Sequence, residues 1–395
     1  MKLNRGRMLT SMPGPSVIPD RVLGAMHTAM PNIYEGALID TSVSVFDDLP
    51  AIAKTGGQAF MAISNGHGAW EMALTNALSR GDHVLVLESG RFAIGWGEQA
   101  KMLGAQIEVL NAPRRGAVDP QAVEDRLRAD TGHEIKAILA VQVDTASGVW
   151  NDIAEIGRAI RASGHPALFM VDCIASIGCV EYRMDDWGVD VTVGGSQKGL
   201  MVPPGLGLVW ANDKAMAAHK TSDLRTPYWD WTARSSPDAH YLRYCGTAPV
   251  QHIYAMRTAL DMIAEEGLEA IWARHKVFAD AVRTAVEAWT APDGLEFNIV
   301  DPAHRSDSTT TVLTGGIDAE RLCRVCEDEA GLTIGVGLGD LAESSFRIGH
   351  MGHLNPPMVL GTLATVEAAL GAMDVPMGGS GAAAATCVIA DALKV

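Results

Sequence analysis

No apolar run in this 395-residue sequence approaches the roughly 20 residues needed to cross a bilayer, so no membrane-spanning segment is expected. Cysteine is scarce as well. The six residues Cys173, Cys179, Cys245, Cys323, Cys326 and Cys387 are scattered, which suits a reducing compartment better than a disulfide framework. Basic charge is in short supply: 31 Lys and Arg face 47 Asp and Glu, for a formal net charge of −16. An acidic surface repels phosphate backbones, so nucleic acid is not an expected partner. The N-terminal stretch has basic residues but lacks the apolar segment of a secretory signal. The last residues, Asp391-Ala-Leu-Lys-Val395, do not form a peroxisomal tripeptide. A soluble cytoplasmic protein is the expectation.

What is present is an alternating pattern. Short apolar runs begin at Phe60, His83, Gln106, Ala137, Ala167, Asp190 and Leu206 and read as strands. Segments of helical period lie between most of them, such as Ala69–Leu78 and Ile153–Ala162. This alternation predicts an α/β fold with crossover units and a mostly parallel sheet. Several strands are apolar almost throughout, as expected where helices cover both faces. An irregular stretch rich in Trp, Arg and Pro follows at 221–244. Long helical patterns run over 250–265 and 268–289. Beyond them the chain alternates again, with strands near 309–313 and 345–349 and a helix over 357–372. Two domains are expected, 1–285 and 286–395, the second a small α+β unit. The Gly- and Ala-rich tail from Gly378 reads as a hinge entering a terminal helix.

Four segments carry chemistry. Ser64-Asn-Gly-His-Gly-Ala69 follows a strand and opens a helix. Small residues there let backbone N–H groups approach an anion, although a plain strand–helix turn has the same form. Asp172 ends an apolar strand at the carboxyl edge, where parallel sheets bind ligands. A buried carboxylate at that place needs a cation or several hydrogen bonds, and a protonated pyridine nitrogen is one such cation. Lys198 sits among glycines and apolar residues just after another strand, in Gly194-Gly-Ser-Gln-Lys198-Gly199. Desolvation there lowers its pKa and makes the amine nucleophilic. Arg347, in Phe346-Arg-Ile-Gly349, can hold a carboxylate through two parallel bonds. The nearby His350 and His353 lack accompanying carboxylates or thiols, so no metal site is expected. Cys323-Arg-Val-Cys326 lies inside a helical pattern, where two small residues packed on a sheet account for it better than redox chemistry does.

In this order, these segments resemble the class V aminotransferases of fold type I, and within them the serine–glyoxylate and alanine–glyoxylate branch. The resemblance runs from Pro13-Gly-Pro15 to Arg347-Ile-Gly349. It implies a seven-stranded, mostly parallel sheet in a large domain, a small C-terminal domain, and pyridoxal 5′-phosphate (PLP) as cofactor. By motif, it implies Lys198 as the Schiff-base lysine and Asp172 as partner of the pyridine nitrogen. Gly66, His67 and Gln197 would hold the phosphate, Phe92 would stack on the ring, and Thr145 would lie near the ring hydroxyl. Tyr244 and Thr247 would reach the phosphate of a neighbouring subunit, which implies a homodimer with shared sites. Arg347 would grip the substrate carboxylate. The implied activity is transamination of serine or alanine with glyoxylate or pyruvate. Aspartate–glyoxylate and pyridoxamine–pyruvate exchange are alternatives, as are lyase and desulfurase chemistries on the same fold.

The chain departs from the family pattern at Asn65 and His67 of the anion turn, at Ile33-Tyr-Glu-Gly36, and at Pro227-Tyr-Trp-Asp-Trp231. Most of these departures lie on the substrate side of the site.

Overall fold

A computed structural model describes residues 3–235, 239–292 and 294–394. The seven apolar runs become seven strands of one sheet. They are β2 (Gln58–Ser64), β3 (His83–Glu88), β4 (Gln106–Asn111), β5 (Ile135–Val141), β6 (Leu168–Asp172), β7 (Val191–Gly195) and β8 (Gly205–Ala211), numbered after the short N-terminal strand β1 (Leu9–Ser11). Their order across the sheet is β2-β8-β7-β6-β5-β3-β4. Neighbours from β7 to β4 are parallel, and only β8 runs against its neighbours β7 and β2.

The apolar character of these strands follows from their burial. Along β3, Val84 and Val86 join one core cluster while Leu85 and Leu87 join another. The same alternation sends Ala137 and Leu139 to one face and Ile138 and Ala140 to the other. Strand side chains alternate faces, so a sheet covered on both sides needs apolar residues at both parities.

The C-terminal unit has its own five-stranded sheet and its own core. Its strands are β9 (Glu296–Phe297), β10 (Thr309–Leu313), β11 (Leu332–Val336) and β12 (Ser345–Gly349), joined at one edge by β1, in the order β1-β11-β12-β10-β9. Two features cross the boundary expected at residue 285. The first is β1, which pairs in parallel with β11, Leu9 opposite Leu332. The second is the helix Leu268–Trp289. Its Leu268 and Ile271 pack in the large core, while Phe278, Val282 and Trp289 pack in the C-terminal core.

The Gly- and Ala-rich tail forms the helix Gly381–Ala392, capped by the Ser380 hydroxyl. It is tied down by bonds from Ser380 Oγ and Ala382 N to the Glu367 carboxylate. The stretch 221–244 is largely irregular apart from the short helix Trp231–Arg234 and a 3-10 turn at His240–Tyr244; residues 236–238 of it lie outside the described residues. Cys323 and Cys326 fall in a helix and the π turn that continues it, both buried in the C-terminal core.

Candidate active site

Strand direction gathers the chemistry at one edge. β2, β3, β5, β6 and β7 all point the same way, and the candidate residues follow or occupy their carboxyl ends. Gly66 and His67 follow β2. Phe92 follows β3, Thr145 follows β5, Asp172 ends β6, and Gln197 and Lys198 follow β7. This is where parallel sheets place ligands.

Asp172 is 4 % exposed and has two protein donors. The indole Nε1 of Trp70 donates to Oδ2 at 2.8 Å, and the Ile174 N–H donates to Oδ1 at 2.7 Å. Burial pushes its pKa up to about 7 and the nearby Asp144 adds to this, against the two hydrogen bonds and Lys198. Lys198 has the complementary shift. Burial and the Arg347 charge bring its amine down to about 8, with Asp172 opposing. The amine is surrounded by protein and donates to the Pro13 carbonyl. Gly14 makes this position possible. At φ +95° it lies so close that a Cβ there would sit 2.4 Å from Lys198 Nζ. Ser16 completes the cover: its hydroxyl donates to Lys198 O at 2.7 Å and its N–H to Gln197 O at 2.9 Å.

The anion turn opens the helix Gly66–Ala77. Asn65 Oδ1 caps it, accepting from His67 N at 3.1 Å and Gly68 N at 3.3 Å. Two buried polar atoms here have no partner among the described residues, Ser64 Oγ and Gln197 Oε1. A bare hydroxyl beside a helix N-terminus fits a phosphate, to which it can donate; the bare Gln197 atom is an acceptor oxygen, and the donor Gln197 can offer a phosphate is its Nε2. Asn65 already occupies two of the helix N–H groups, so an anion bound there shares them with its side chain. The His67 ring is exposed and lies 4.6 Å from the Trp70 ring.

Phe92 sits at the start of the helix Arg91–Met102, its N–H donating to Asp144 Oδ2 at 2.7 Å and its ring edge-on to Trp70. Asp144 is fully buried and also takes the N–H groups of Ala146 and Ser147. One carboxylate therefore fixes both the loop that carries Phe92 and the loop that carries Thr145. Arg347, 8 % exposed, reaches this second loop from β12: Nη1 donates to Thr145 O at 2.8 Å and Nε to Val336 O at 2.7 Å. Burial lowers its pKa to about 10.

Tyr244 and Thr247 are not gathered with these groups by any hydrogen bond. The Tyr244 hydroxyl is paired with Ser42 Oγ, and its ring packs against Phe46. Thr247 is exposed. Among the arginines of the irregular stretch, Arg234 is 3 % exposed and its guanidinium is taken up by three carbonyls, those of Met61, Tyr228 and Arg243. His350 is buried between Thr310 Oγ1 and Asp307 O. No cluster of three or more potential metal ligands occurs among the described residues. Trp70, Asp144 and the Pro13 carbonyl are the contributors that sequence reasoning missed. All three lie in or beside segments that stood out, Trp70 just after the anion turn, Asp144 next to Thr145 and Pro13 in Pro13-Gly-Pro15, but none was given a role.

The family model "Aminotransferase class-V" matches residues 57–342. A serine–glyoxylate aminotransferase of Methylorubrum extorquens is 38 % identical, with 96 % of each chain covered. An L-aspartate–glyoxylate aminotransferase of Paracoccus denitrificans is also 38 % identical, covering 95 % of this chain and 94 % of its own. Among solved structures, a pyridoxamine–pyruvate aminotransferase of Mesorhizobium loti superposes with a TM-score of 0.89 at 28 % identity, over 99 % of this chain and all of its own. With the family model spanning most of the sheet-bearing region and relatives matching nearly end to end, this chain belongs to the class-V aminotransferases, a PLP-dependent family.

Proposed function

We propose that this chain transfers the amino group of a small amino acid, serine or alanine, to glyoxylate or pyruvate, using PLP attached through Lys198. The observation that carries this reading is the juxtaposition of a lysine amine at about 8 with a fully buried carboxylate at about 7 on the carboxyl edge of the sheet. PLP, when bound, supplies an electron sink that renders the substrate's Cα–H acidic.

The remaining work falls to the chain. Asp172 would meet the cofactor's ring nitrogen and keep a proton on it, since a buried carboxylate favours a cation beside it. Ser64, Gln197 and the start of the helix at Gly66 and His67 hold the phosphate. Phe92 would lie against the ring, and Thr145 would stand near its hydroxyl. Once the substrate's own amine has displaced it from the cofactor, the Lys198 amine would take the proton from the substrate's Cα and deliver it to the cofactor carbon that had carried Lys198. Arg347 has two of its nitrogens committed to carbonyls, and its Nη2 is the group left to meet a substrate carboxylate.

Of the arginines in the irregular stretch, Arg234 is consumed by carbonyls and cannot meet a second carboxylate, which leaves Arg225 and Arg243 as the groups a dicarboxylic donor would need. The monocarboxylic donor follows the serine–glyoxylate relative. Desulfurase chemistry is disfavoured for the cysteines nearest Lys198 and Asp172, because burial pushes Cys179 up to about 12 and raises Cys173 as well, keeping both as inert thiols. The active form is read as a cytoplasmic homodimer in which Tyr244 and Thr247 approach the partner's cofactor.

A donor and acceptor screen with PLP-loaded protein tests this reading. Serine or alanine with glyoxylate should give the highest kcat/KM. A clear preference for aspartate would overturn the substrate class, and transamination of free pyridoxamine would overturn PLP as a resident cofactor.

A further inference from the structure

The Asp172 carboxylate is bonded by a side chain that belongs to neither the lysine loop nor the anion turn. Trp70 is 2 % exposed and lies one turn into the helix Gly66–Ala77. Its indole stacks on Trp96 with centroids 6.1 Å apart and planes 18° apart. The Phe92 ring meets it edge-on at 6.3 Å, and the His67 ring lies tilted at 4.6 Å. Gly95 closes one side, where a Cβ would come within 3.6 Å of the ring. The indole is therefore held by neighbours on several sides, and its one polar atom is aimed at Asp172 Oδ2 at 2.8 Å.

Packing alone does not require this bond. Trp96, stacked on the same indole, keeps its own Nε1 buried with no partner, and so do Trp231 and Trp272. The fold thus tolerates orphaned indole N–H groups, yet it pairs the one that faces the carboxylate. An indole N–H can only donate. A donor-only group bonds a carboxylate more strongly than a neutral acid, so it favours the charged form. It also uses up one direction of approach. With Ile174 N–H on Oδ1 and Trp70 on Oδ2, the carboxylate plane is fixed and its remaining lone pairs point in set directions.

We propose that Trp70 is a positioning residue for the reaction, its indole N–H holding the Asp172 carboxylate in the orientation and charge state that grips the cofactor's ring nitrogen. This rests on the reading that Asp172 faces that nitrogen. Trp70 reaches no reacting atom itself and acts through Asp172. Through its ring contacts it also sets the places of Phe92 and His67, so one side chain registers three groups that surround the cofactor.

The test replaces Trp70 site-specifically with β-(3-benzothienyl)alanine, which keeps the bicyclic shape and removes only the N–H. Loss of a hydrogen bond to a buried carboxylate is expected to lower kcat on the order of 10- to 100-fold. KM for the amino donor should stay within about threefold, since Arg347 is untouched. The apoprotein should bind PLP roughly tenfold more weakly by equilibrium dialysis, and the absorbance band of the bound cofactor should shift. The same replacement at Trp96, whose N–H has no partner, should leave all of these values at wild type. Unchanged kcat and PLP affinity in the Trp70 variant, beside an impaired Asp172→Asn protein, would overturn the proposal and reduce Trp70 to packing. A wild-type Asp172→Asn protein would remove the underlying reading of Asp172 and the proposal with it.

Discussion

Arg347 Nη1 donates to the Thr145 carbonyl at 2.8 Å, joining a strand of the C-terminal sheet to a loop at the edge of the large one. Together with the Nε bond to Val336 O, this bond fixes the guanidinium plane, and Nη2 is left without a partner among the described residues. A lysine cannot copy a planar fork with two nitrogens committed and a third free. Arg347→Lys should therefore raise KM for both amino donor and oxo acid by about 100-fold while changing kcat less, a difference of about 2.7 kcal/mol. Steady-state kinetics with serine and glyoxylate check this. Unchanged KM for both would show that the substrate carboxylate is held elsewhere.

Lys198→Ala should abolish turnover and leave no cofactor trapped by borohydride, because among the described residues no other lysine shares its buried setting beside Asp172. Peptide mass spectrometry after reduction reads this directly. A pyridoxyl group found on another lysine in the wild type would move the assignment.

Asp172→Asn should still bind PLP through Lys198 and the phosphate contacts, yet lose most of its rate. An amide cannot stabilise a neighbouring cation as a carboxylate does. The wild-type apoprotein should show a second mark of this residue. Its folded pKa of about 7 is raised from the ordinary 3.8 by burial, so the charged carboxylate opposes folding. That cost sets in as pH rises above 3.8 and is complete above 7. Asp172→Asn should remove this part of the pH dependence, as measured by urea unfolding between pH 5 and 8.

Arg234→Met should destabilise the chain by about 3 kcal/mol, because it strands three carbonyls that now share one buried guanidinium. The irregular stretch that carries Tyr228 and Trp229 should loosen with it. Urea unfolding gives the magnitude, and a donor screen on the variant should show relaxed substrate choice.

Acid should unfold the protein through two neutral histidines. Burial holds His350 at about 3 and His275 at about 4, both below the ordinary 6.5. The His275 ring bonds Ile271 O and accepts the Gly352 N–H, so an added proton has no acceptor to meet. A depressed pKa gives stability that is present above 6.5 and lost as pH falls toward the folded value. The loss is about 1.4 kcal/mol per histidine per pH unit, roughly 4 kcal/mol for the pair between pH 6.5 and 5. His350→Asn should flatten about half of that slope in denaturant titrations.

The large sheet was legible because several of its strands are apolar at both parities, as coverage on two faces requires, while the edge strand Gln106–Asn111 is partly exposed throughout. Strands Thr309–Leu313 and Ser345–Gly349 were legible for their β-branched and aromatic content. Leu9–Ser11 was not, since three residues carry no period and its partner lies at the other end of the chain. Strand Leu332–Val336 was masked by the glycines Gly331, Gly335 and Gly337 in and around it. In the site, Lys198, Asp172 and Arg347 stood out because a charge among apolar neighbours is conspicuous. Trp70 did not, because an indole at helical spacing looks like core until the approach of Asp172 is known. The pairing of Tyr244 with Ser42 depends on the helix Ala37–Ile52, which no marked periodicity announced.

The strand Leu9–Ser11 has a consequence for how the chain comes into being. Synthesis delivers it well before Leu332–Val336 and Ser345–Gly349, and its place in the sheet does not exist until those strands have emerged. Ser11 Oγ closes on Gly349 O across 338 residues of sequence. The cover over Lys198, made by Pro13, Gly14 and Ser16, hangs directly from that strand. The nucleophile's pocket is thus among the last features to close on the ribosome's product. Until then the lysine lies open to water, with the ordinary basicity of an exposed amine.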